Sequence, residues 1–298
     1  MADDIAVNRG NPLASFRGHR YVVKLGGEIM LHASALDTLA ADVGELTQAG
    51  VEIVLVHGGG PQADRLAGRL GHTVRKVGGR RVTDDDALEV AKMVYGGSIN
   101  LELLGALKRH GGRGVGLSGV DADLITVVRR PLVPVREPVG ITETLVDFGH
   151  VGDVEAVDVS VVEALWRGGY IPVVASLAAD RAGNLYNINA DTIAMTLAVG
   201  LAADGLFLLT NAPGLLRDPA DRASLIPQST VAEIEKLIAD GTISGGMLPK
   251  VQNALDALRA GVARVQILDG TQAHALRAVF LTGGVGTSIM GETANAIW

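Results

Sequence analysis

The chain has 298 residues, of which 48% are hydrophobic and 20% are charged, so it can bury a large core and is too apolar for a disordered protein. Its 33 acidic and 26 basic residues give a net charge of −7, which argues against a nucleic-acid partner. The lack of cysteine excludes disulfides and thiol catalysis, and no apolar run approaches the roughly 20 residues that span a membrane, so we expect a cytoplasmic protein.

Short segments rich in Val, Ile and Leu alternate with longer helical patterns, which predicts an α/β fold with a mainly parallel sheet between layers of helices. In chain order, the predicted strands are 21–25, 52–56, 114–117, 170–175, 205–209 and 264–268. The predicted helices are 34–49, 84–108, 157–167, 190–203, 231–240 and 247–260. Segment 123–153 combines Pro and Gly with alternating Val residues, which predicts antiparallel hairpins that cover a site. The first 18 residues are predicted to form a loosely ordered arm.

Two of the predicted helices begin with capping signals. Thr83 precedes three aspartates, which place negative charge on the first turn of the helix 84–108. Thr230 precedes the helix 231–240, which bears Glu233 in its first turn. Negative charge is favourable at these positions because the N-terminus of a helix carries a partial positive charge.

Two predicted strands end in glycines. The strand 52–56 is followed, after one residue, by the three glycines 58–60 and a helical pattern. Because glycine has no Cβ, backbone N–H groups can approach an anion there, and the positive end of the next helix adds to the attraction. A tight turn explains one such loop equally well, but the first strand also ends in a glycine pair, 26–27, and carries Lys24. Neither loop matches a P-loop or a dinucleotide-binding fingerprint, so a phosphate would be held by a different arrangement.

Polar residues near two predicted helices have both a structural and a functional interpretation. Asn187, Asn189 and Asp191 lie at the start of the helix 190–203, and one of them can cap it, but a single cap does not require all three. Lys250 lies in the first turns of another helix, where a cation opposes the helix dipole. An anionic ligand would explain this lysine better than the fold does.

Two turns are further candidates for ligand contacts. The strand 205–209 ends in a polar turn at 210–214, which is either an ordinary exit from a strand or part of a ligand-binding edge. The second interpretation is reasonable because ligands bind at the carboxyl ends of parallel strands. Arg80 and Arg81 follow a glycine pair and are either a solvated surface pair or a source of one bidentate contact to a carboxylate or phosphate.

Seven motifs occur in a fixed order along the chain. They are Lys24-Leu-Gly-Gly27, His57-Gly-Gly-Gly-Pro61, Arg81-Val-Thr-Asp84, Gly116-Leu-Ser-Gly119, Asn187-Ile-Asn-Ala-Asp191, Leu208-Leu-Thr-Asn-Ala-Pro-Gly214 and Gly246-Met-Leu-Pro-Lys250. Together they resemble the amino acid kinase family, and within it the acetylglutamate kinases. The resemblance covers residues 16–289. It implies an open αβα three-layer sandwich forming one domain over 1–298, with an acyl-substrate lobe at 19–180 and an ATP lobe at 181–298.

The resemblance also implies an activity and its residues. The activity is ATP-dependent phosphorylation of the side-chain carboxylate of N-acetyl-L-glutamate, in arginine biosynthesis. The implied phosphoryl-transfer residues are Lys24, Gly27, Gly59, Asp191 and Lys250. The implied acyl-substrate residues are Gly59, Gly60, Arg81 and Asn187, and the implied nucleotide-binding residues are Thr210, Asn211, Gly214 and Lys250. ATP is expected to carry Mg²⁺ on its phosphates, with few direct protein ligands.

The chemistry of the implied reaction explains these residue types. A glutamate side-chain carboxylate has a reference pKa of about 4.3, so it is an ionised nucleophile at neutral pH and needs no general base. It must approach a polyanionic γ-phosphate, and two unit charges about 4 Å apart repel by about 4 kcal/mol at an effective dielectric constant of about 20. Lys24 and Lys250 would offset this repulsion, and Asp191 would hold both lysines. Arg81 suits the α-carboxylate of the substrate, and Asn187 suits its N-acyl amide.

The sequence departs from the family pattern near three of the motifs. Glu28 and Ile29 stand where members often have Asn-Ala, so the first glycine loop is more acidic. Val120 stands where members commonly have a lysine. Asn211 stands in place of an aspartate in the turn on the nucleotide side.

Regulation and assembly follow from the same resemblance. Members inhibited by arginine carry an N-terminal helix and an acidic pair before the final Gly-x-Gly-Thr. This chain has an arm interrupted by Gly10 and Pro12, and Gly283 and Gly284 occupy the place of the acidic pair. We therefore expect no feedback inhibition by arginine. We expect a homodimer built from the long helix 84–108.

Two other functions are compatible with the sequence. A sister kinase that acts on aminoadipate or glutamate carried on a small protein would share every catalytic residue. It would need basic residues around the acyl pocket, for which Arg80, Arg129 and Arg130 are the candidates. A non-catalytic metabolite sensor would share the fold but could lose any of the charged catalytic residues, all of which are present.

Overall fold

The computed structural model describes residues 12–136 and 143–291, which contain one eight-stranded sheet and three smaller sheets. The strands are β1 (Arg20–Leu25), β2 (Glu52–His57), β3 (Lys76–Val77), β4 (Arg80–Arg81), β5 (Gly114–Ser118), β6 (Ile125–Arg129), β7 (Val133–Arg136), β8 (Glu143–Val146), β9 (Gly152–Val157), β10 (Ile171–Ala175), β11 (Leu177–Ala179), β12 (Leu185–Asn187), β13 (Gly205–Thr210), β14 (Gln228–Thr230), β15 (Arg264–Asp269) and β16 (Thr287–Met290). The helices are α1 (Ala33–Gln48), α2 (Gly60–Arg69), α3 (Asp85–Ala91), α4 (Asn100–Arg109), α5 (Ser160–Arg167), α6 (Ala190–Gly200), α7 (Val231–Ala239), α8 (Leu248–Arg259) and α9 (Ala275–Thr282). A π-helix at Lys92–Ile99 joins α3 to α4.

The eight-stranded sheet has the strand order β14-β16-β15-β13-β1-β2-β10-β5. The six strands from β15 to β5 are parallel, whereas β16 runs antiparallel to β15 and β14 runs parallel to β16. Strand β1 lies inside the sheet, where Lys24 is paired with Leu208 of β13 and Val56 of β2. Parallel strands end at the same edge of a sheet, so the loops that follow β1, β2 and β13 lie side by side.

Two apolar clusters cover the two faces of this sheet. In β1, Val23 and Leu25 belong to the cluster that includes α1, α4 and α9, whereas Val22 belongs to the cluster that includes α6 and α8. Successive side chains of a strand alternate between faces, so Lys24 shares the face of Val22 and lies under α6. The layering of helix, sheet and helix confirms the predicted α/β three-layer sandwich.

A second sheet has the strand order β12-β11-β6-β9. Strands β6 and β9 are antiparallel, and so are β7 and β8, which confirms the antiparallel hairpins predicted for 123–153 in its described part. Residues 137–142 of that segment lie outside the described residues. An isolated bridge pairs Thr83 with Gly149, which joins the start of the long helix to this region.

The predicted strands are all present, each with ends within one residue of the prediction, whereas three of the predicted helices need correction. The helix predicted at 190–203 ends at Gly200. The helix predicted at 84–108 is interrupted by the π-helix, and Asp84 rather than Thr83 caps it, because the Asp84 carboxylate accepts the Ala87 N–H at 2.9 Å. The helix predicted at 157–167 begins only at Ser160, since β9 extends to Val157. The cap predicted at Thr230 is confirmed.

Several short elements escaped prediction, among them α9, β14 and β16. The prediction of a loosely ordered arm is wrong for 12–16, because Pro12–Phe16 forms a 3-10 helix with Leu13 and Phe16 buried in the core. Gly10, which also entered that prediction, lies outside the described residues. Across the described ranges, no helix is both long and apolar enough to cross a membrane.

Candidate active site

The glycine loops after β1 and β2 are packed against each other. An ideal Cβ placed on Gly27 would lie 2.8 Å from Cδ of Pro61 and 3.4 Å from the nitrogen of Gly60. Gly26 donates its N–H to the Leu209 carbonyl at 3.0 Å, so the first loop is also attached to β13. The close approach of the second loop therefore leaves no room for a side chain at position 27.

Gly59 is the N-cap of α2 and is enclosed by the π-helix. An ideal Cβ at this position would lie 2.8 Å from Cδ1 of Tyr95 and would also meet the side chain of Ile99. Packing alone thus requires glycine here. The first N–H groups of a helix have no partner within the helix, so the start of α2 presents donors and a partial positive charge to an anion.

Three charged side chains meet where β1, α6 and α8 approach one another. Nζ of Lys24 lies 2.7 Å from Oδ1 of Asp191, and Nζ of Lys250 donates to Oδ2 of the same carboxylate at 3.2 Å. Lys24 is 6% exposed and Asp191 is 5% exposed, whereas the Lys250 side chain is only partly buried. Two ammonium groups around one carboxylate leave this charged cluster (Lys24, Asp191 and Lys250) with one net positive charge.

Burial and charge have opposite effects within the charged cluster. Burial lowers the pKa of the Lys24 ammonium below its usual value, Asp191 opposes that shift, and Lys250 adds to it. For the Asp191 carboxyl, burial alone would raise the pKa, but the two lysines outweigh burial and hold the pKa below its usual range. Asp191 is therefore ionised at neutral pH and acts as the counter-ion of both lysines.

The start of α6 explains how Asp191 becomes available for this role. Asn189 is the N-cap, and its Oδ1 accepts the N–H of Asp191 at 2.8 Å. The capping function predicted for one of the polar residues is thus fulfilled by Asn189. The carboxylate of Asp191 is left to bind the lysines, and its partner Lys250 lies in the first turn of α8, against the dipole of that helix.

The two residues assigned to the acyl substrate, Arg81 and Asn187, each form polar contacts with neighbouring residues. Nη2 of Arg81 donates to the Gly60 carbonyl at 3.1 Å and forms an ion pair with Asp64. Nδ2 of Asn187 donates to the buried hydroxyl of Thr83 at 3.2 Å. Arg81 and Thr83 are two residues apart, so the structure brings Arg81, Asn187 and the start of α2 into one region.

The turn assigned to the nucleotide has partners of its own. Oγ1 of Thr210 accepts the Ala212 N–H at 3.0 Å, which shapes the turn after β13. Nδ2 of Asn211 donates to a carboxylate oxygen of Glu28 at 3.3 Å. Glu28 and Asn211 both depart from the family pattern, and they contact each other. An aspartate at position 211 would face the Glu28 carboxylate, whereas the amide of Asn211 can donate to it.

Gly214 has a structural explanation. Its φ of 150° is one that residues with side chains rarely adopt, and an ideal Cβ would lie 2.6 Å from Oγ1 of Thr287. Oγ1 of Thr287 in turn accepts the Leu215 N–H at 2.8 Å. Close packing between this turn and β16 therefore requires glycine whether or not a nucleotide binds.

Two further residues, His57 and Gln62, lie at the glycine loops, and no role was predicted for either from the sequence. His57 is fully buried, its Nδ1 lies 2.9 Å from the Gly58 carbonyl, and burial lowers its pKa to about 4, so the ring is neutral at pH 7. Gln62 donates from Nε2 to the Gly27 carbonyl at 2.8 Å. Only the position of Gln62 in the first turn after the glycines could have indicated this contact.

Within residues 12–136 and 143–291 there is no group of three or more His, Cys, Asp or Glu side chains placed to hold a metal ion. Asp191, the buried carboxylate of the site, is already engaged by two lysines. This arrangement fits a metal that arrives on the phosphates of a nucleotide.

The family model described as the amino acid kinase family matches residues 19–269, so the chain belongs to the amino acid kinase family. Acetylglutamate kinase of Sorangium cellulosum is 48% identical to it over 247 residues, which cover 83% of this chain and 86% of that protein. Acetylglutamate kinase of Desulfitobacterium hafniense is 43% identical over 276 residues, which cover 92% of each protein.

Solved structures resemble the chain over nearly its whole length. N-acetylglutamate synthase from Neisseria gonorrhoeae, complexed with coenzyme A and N-acetyl-glutamate, has a TM-score of 0.78 and 27% identity over 95% of this chain. The match covers 62% of the synthase chain, so this chain spans less than two thirds of its length. Carbamate kinase from Giardia lamblia bound to AMP-PNP has a TM-score of 0.67 at 18% identity, covers 92% of this chain and shares the fold.

Proposed function

We propose that the chain is an ATP-dependent kinase that phosphorylates the side-chain carboxylate of N-acetyl-L-glutamate, a reaction of arginine biosynthesis. The observation that carries this proposal is the charged cluster of Lys24, Asp191 and Lys250 beside two packed glycine loops. The acetylglutamate kinases that resemble the chain over most of its length support the choice of substrate.

The reaction needs an anionic nucleophile to meet an anionic phosphoryl group. The substrate carboxylate attacks the γ-phosphorus of ATP, a new O–P bond forms, and the bond to the β,γ-bridging oxygen breaks to release ADP. Lys24 and Lys250 stabilise the charge that gathers on the transferring group, and the N–H groups of Gly27 and Gly59 donate to its oxygens. Asp191 keeps the two ammonium groups in place, so little reorganisation is required during the reaction.

The two substrates would lie on opposite sides of the charged cluster. Gly59, Gly60, Arg81 and Asn187 would bind the acyl substrate, with the guanidinium on its α-carboxylate and the amide on its N-acyl group. Thr210, Asn211, Gly214 and Lys250 would bind the nucleotide, with lobes at 19–180 and 181–298. Mg²⁺ would be held by the ATP phosphates and would supply charge neutralisation there.

Two ion pairs argue against the alternative in which the substrate is carried on a protein. Arg129 forms an ion pair with Asp147 at 2.8 Å, and Arg130 forms one with Asp153 at 2.6 Å. These pairs reduce the positive charge that could attract an acidic carrier, whereas Arg80 has no ion pair within residues 12–136 and 143–291. The free amino-acid derivative is therefore the favoured acceptor.

The experiment that tests the proposal measures ADP release in a coupled assay. N-acetyl-L-glutamate is compared with glutamate, aspartate and aminoadipate as acceptor, at saturating ATP and Mg²⁺. Turnover with N-acetyl-L-glutamate well above that of the other acceptors supports the proposal. The absence of turnover with every acceptor would favour a sensor, whose binding of N-acetyl-L-glutamate calorimetry would detect.

A homodimer is the assembly we favour. The long helix formed by α3, the π-helix and α4 exposes two large apolar side chains, Met93 at 48% and Leu101 at 67%. Such side chains on a helix surface suit a second copy of the chain. Light scattering of the parent and of Leu101→Lys distinguishes a dimer on this helix from a monomer or from a dimer formed elsewhere.

A further inference from the structure

The glycine loop after β1 is held from across the site by a side chain of α2. Gln62 lies in the first turn of α2 and donates from Nε2 to the Gly27 carbonyl at 2.8 Å. A carbonyl oxygen can only accept, so the nitrogen end of the side-chain amide must make this bond. The hydrogen-bond partner thereby fixes the orientation of the Gln62 amide.

The two ends of the Gln62 amide differ among the described residues, since its nitrogen donates to Gly27 and its oxygen has no partner. Oε1 of Gln62 is buried and has no hydrogen-bond partner among residues 12–136 and 143–291. A buried acceptor that has lost its hydrogen bonds to water and gained none is destabilising. An apolar side chain of the same length would avoid that penalty but would also take the donor away from the Gly27 carbonyl, so the bond to Gly27 is what this glutamine contributes.

That bond restrains a segment with little intrinsic rigidity. Glycine has the widest choice of backbone torsion angles, and Gly26 and Gly27 are adjacent. Gly26 is attached to Leu209 through its N–H, the carbonyl of Gly27 is attached to Gln62, and Pro61 packs where a Cβ of Gly27 would be. The direction of the Gly27 N–H is thus set by contacts from β13 on one side and from α2 on the other.

We infer that Gln62 is a positioning residue for phosphoryl transfer. By holding Gly27 against the start of α2, it keeps the N–H groups of Gly27 and Gly59 at a fixed separation, so that both can donate to one phosphoryl group. The inference rests on the proposed function, because it assigns those N–H groups to the transferring phosphate. Gln62 acts through Gly27 and touches neither reactant.

The decisive variant is Gln62→Met, which retains the length of the side chain and removes the donor. Misplacement of a reacting group by about 1 Å can cost about 100-fold in rate, so kcat should fall by about 10- to 100-fold while the KM values for ATP and N-acetyl-L-glutamate stay within about threefold. Gln62→Glu is a second variant of the same shape, in which an ionised carboxylate cannot donate, and kcat should fall at least as far. Gln48→Met makes the matched change at an exposed position near the end of α1 and should leave kcat unchanged.

Hydrogen–deuterium exchange provides a readout that does not depend on activity. In Gln62→Met, amides of the segment 24–31 should exchange faster, because the loop has lost a restraint, while the core strands exchange as in the parent. Unchanged exchange in this segment overturns the inference, as does a kcat within about threefold of the parent's in both variants, or a loss that falls on KM instead. If the parent itself does not turn over N-acetyl-L-glutamate, the proposed function fails, whereas the exchange result still decides whether Gln62 restrains the loop.

Discussion

The charged cluster and the acyl side of the site, Arg81 and Asn187, lie beside the same glycine loops. Their charged groups differ in burial and in their partners. Lys24 and Lys250 share the carboxylate of Asp191, and the three groups keep one net positive charge. Arg81 contacts the Gly60 carbonyl and shares the Asp64 carboxylate with the exposed Lys76. The carboxylate at the centre of the charged cluster is buried, whereas Asp64 and Lys76 are partly open to water, which screens the charges on the acyl side.

This difference predicts whether each region contributes to transition-state stabilisation or to substrate binding. A cluster whose charges are arranged in advance favours the transition state, in which negative charge is concentrated on the phosphoryl group. A cation whose charged partners are screened by water contributes mainly to recognition of the bound substrate. Mutations in the two regions should therefore separate into effects on kcat and effects on KM.

The largest expected effect tests the charged cluster. Lys24→Ala and Lys250→Ala should each lower kcat by about 10²- to 10³-fold, with smaller changes in KM, because loss of one electrostatic donor has effects of this size. Steady-state kinetics with both substrates measures the split, and Lys236→Ala, an exposed lysine of α7, is the control. Near-normal turnover in either variant would remove that lysine from the mechanism.

The second prediction tests the acyl side of the comparison. Arg81→Ala should raise the KM for N-acetyl-L-glutamate by about 10- to 100-fold, because hydrogen bonds to a charged group contribute about 1.5–3 kcal/mol, and should leave ATP binding largely unchanged. Arg80→Ala, its exposed neighbour on β4, is the matched control. Weakened ATP binding with unaltered binding of the acyl substrate would show that the lobes are assigned the wrong way round.

The third prediction concerns the glycine that lies between the two regions. Gly59→Ala should destabilise the fold by about 1–3 kcal/mol and lower activity, because its Cβ would overlap Tyr95 and Ile99 in the π-helix. Gly68→Ala is the control on the same helix, where a Cβ would meet nothing within 4 Å and should stabilise α2 by about 0.5–1 kcal/mol. Equal unfolding temperatures for the two variants would contradict the packing at Gly59.

The smallest expected effect is a pH shift within the charged cluster. Burial lowers the pKa of Lys24 below the 10.5 of an exposed lysine, so this side chain loses its proton, and kcat should decline, at a lower pH than an exposed lysine would allow. Lys24→Arg keeps its charge to higher pH, so its alkaline decline should move upward even though its kcat is lower. Alkaline profiles that coincide for the parent and Lys24→Arg would show that another group controls this limb.

The sequence predicts the strands better than the boundaries of the helices. Apolar runs that end in glycine or in a polar turn locate β1, β2 and β13 within one residue, because a buried parallel strand needs a continuous apolar segment. The π-helix inside 84–108 leaves no such sign, although its residues Tyr95 and Ile99 pack on Gly59 of another segment. Short strands near the edge of the sheet, such as β16, depend on their partners rather than on their own few residues.

The residues of the site, like the elements of the fold, are predicted only in part from the sequence. The resemblance identifies Lys24, Asp191 and Lys250, and the structure places the three in contact. The hydrogen bond from Gln62 to Gly27 joins positions 35 residues apart, and the position of Gln62 after the glycines does not by itself identify its partner. Contacts of this kind are set by tertiary packing, so they become visible only when the two loops are seen side by side.

The location of β1 inside the large sheet has a consequence for synthesis of the chain. Arg20 lies 32 residues from its ion-pair partner on β2 but 184 residues from Asp204, which immediately precedes β13. At about 5–20 residues per second, a ribosome needs roughly 10–40 s to cover the longer interval, and during that time one edge of β1 has no strand to pair with. Asp191, the counter-ion of Lys24, emerges late in the same interval, and Lys250 follows it. The charged cluster therefore forms only after most of the chain has been made, and kinase activity in a nascent or refolding chain would report that both edges of β1 are closed.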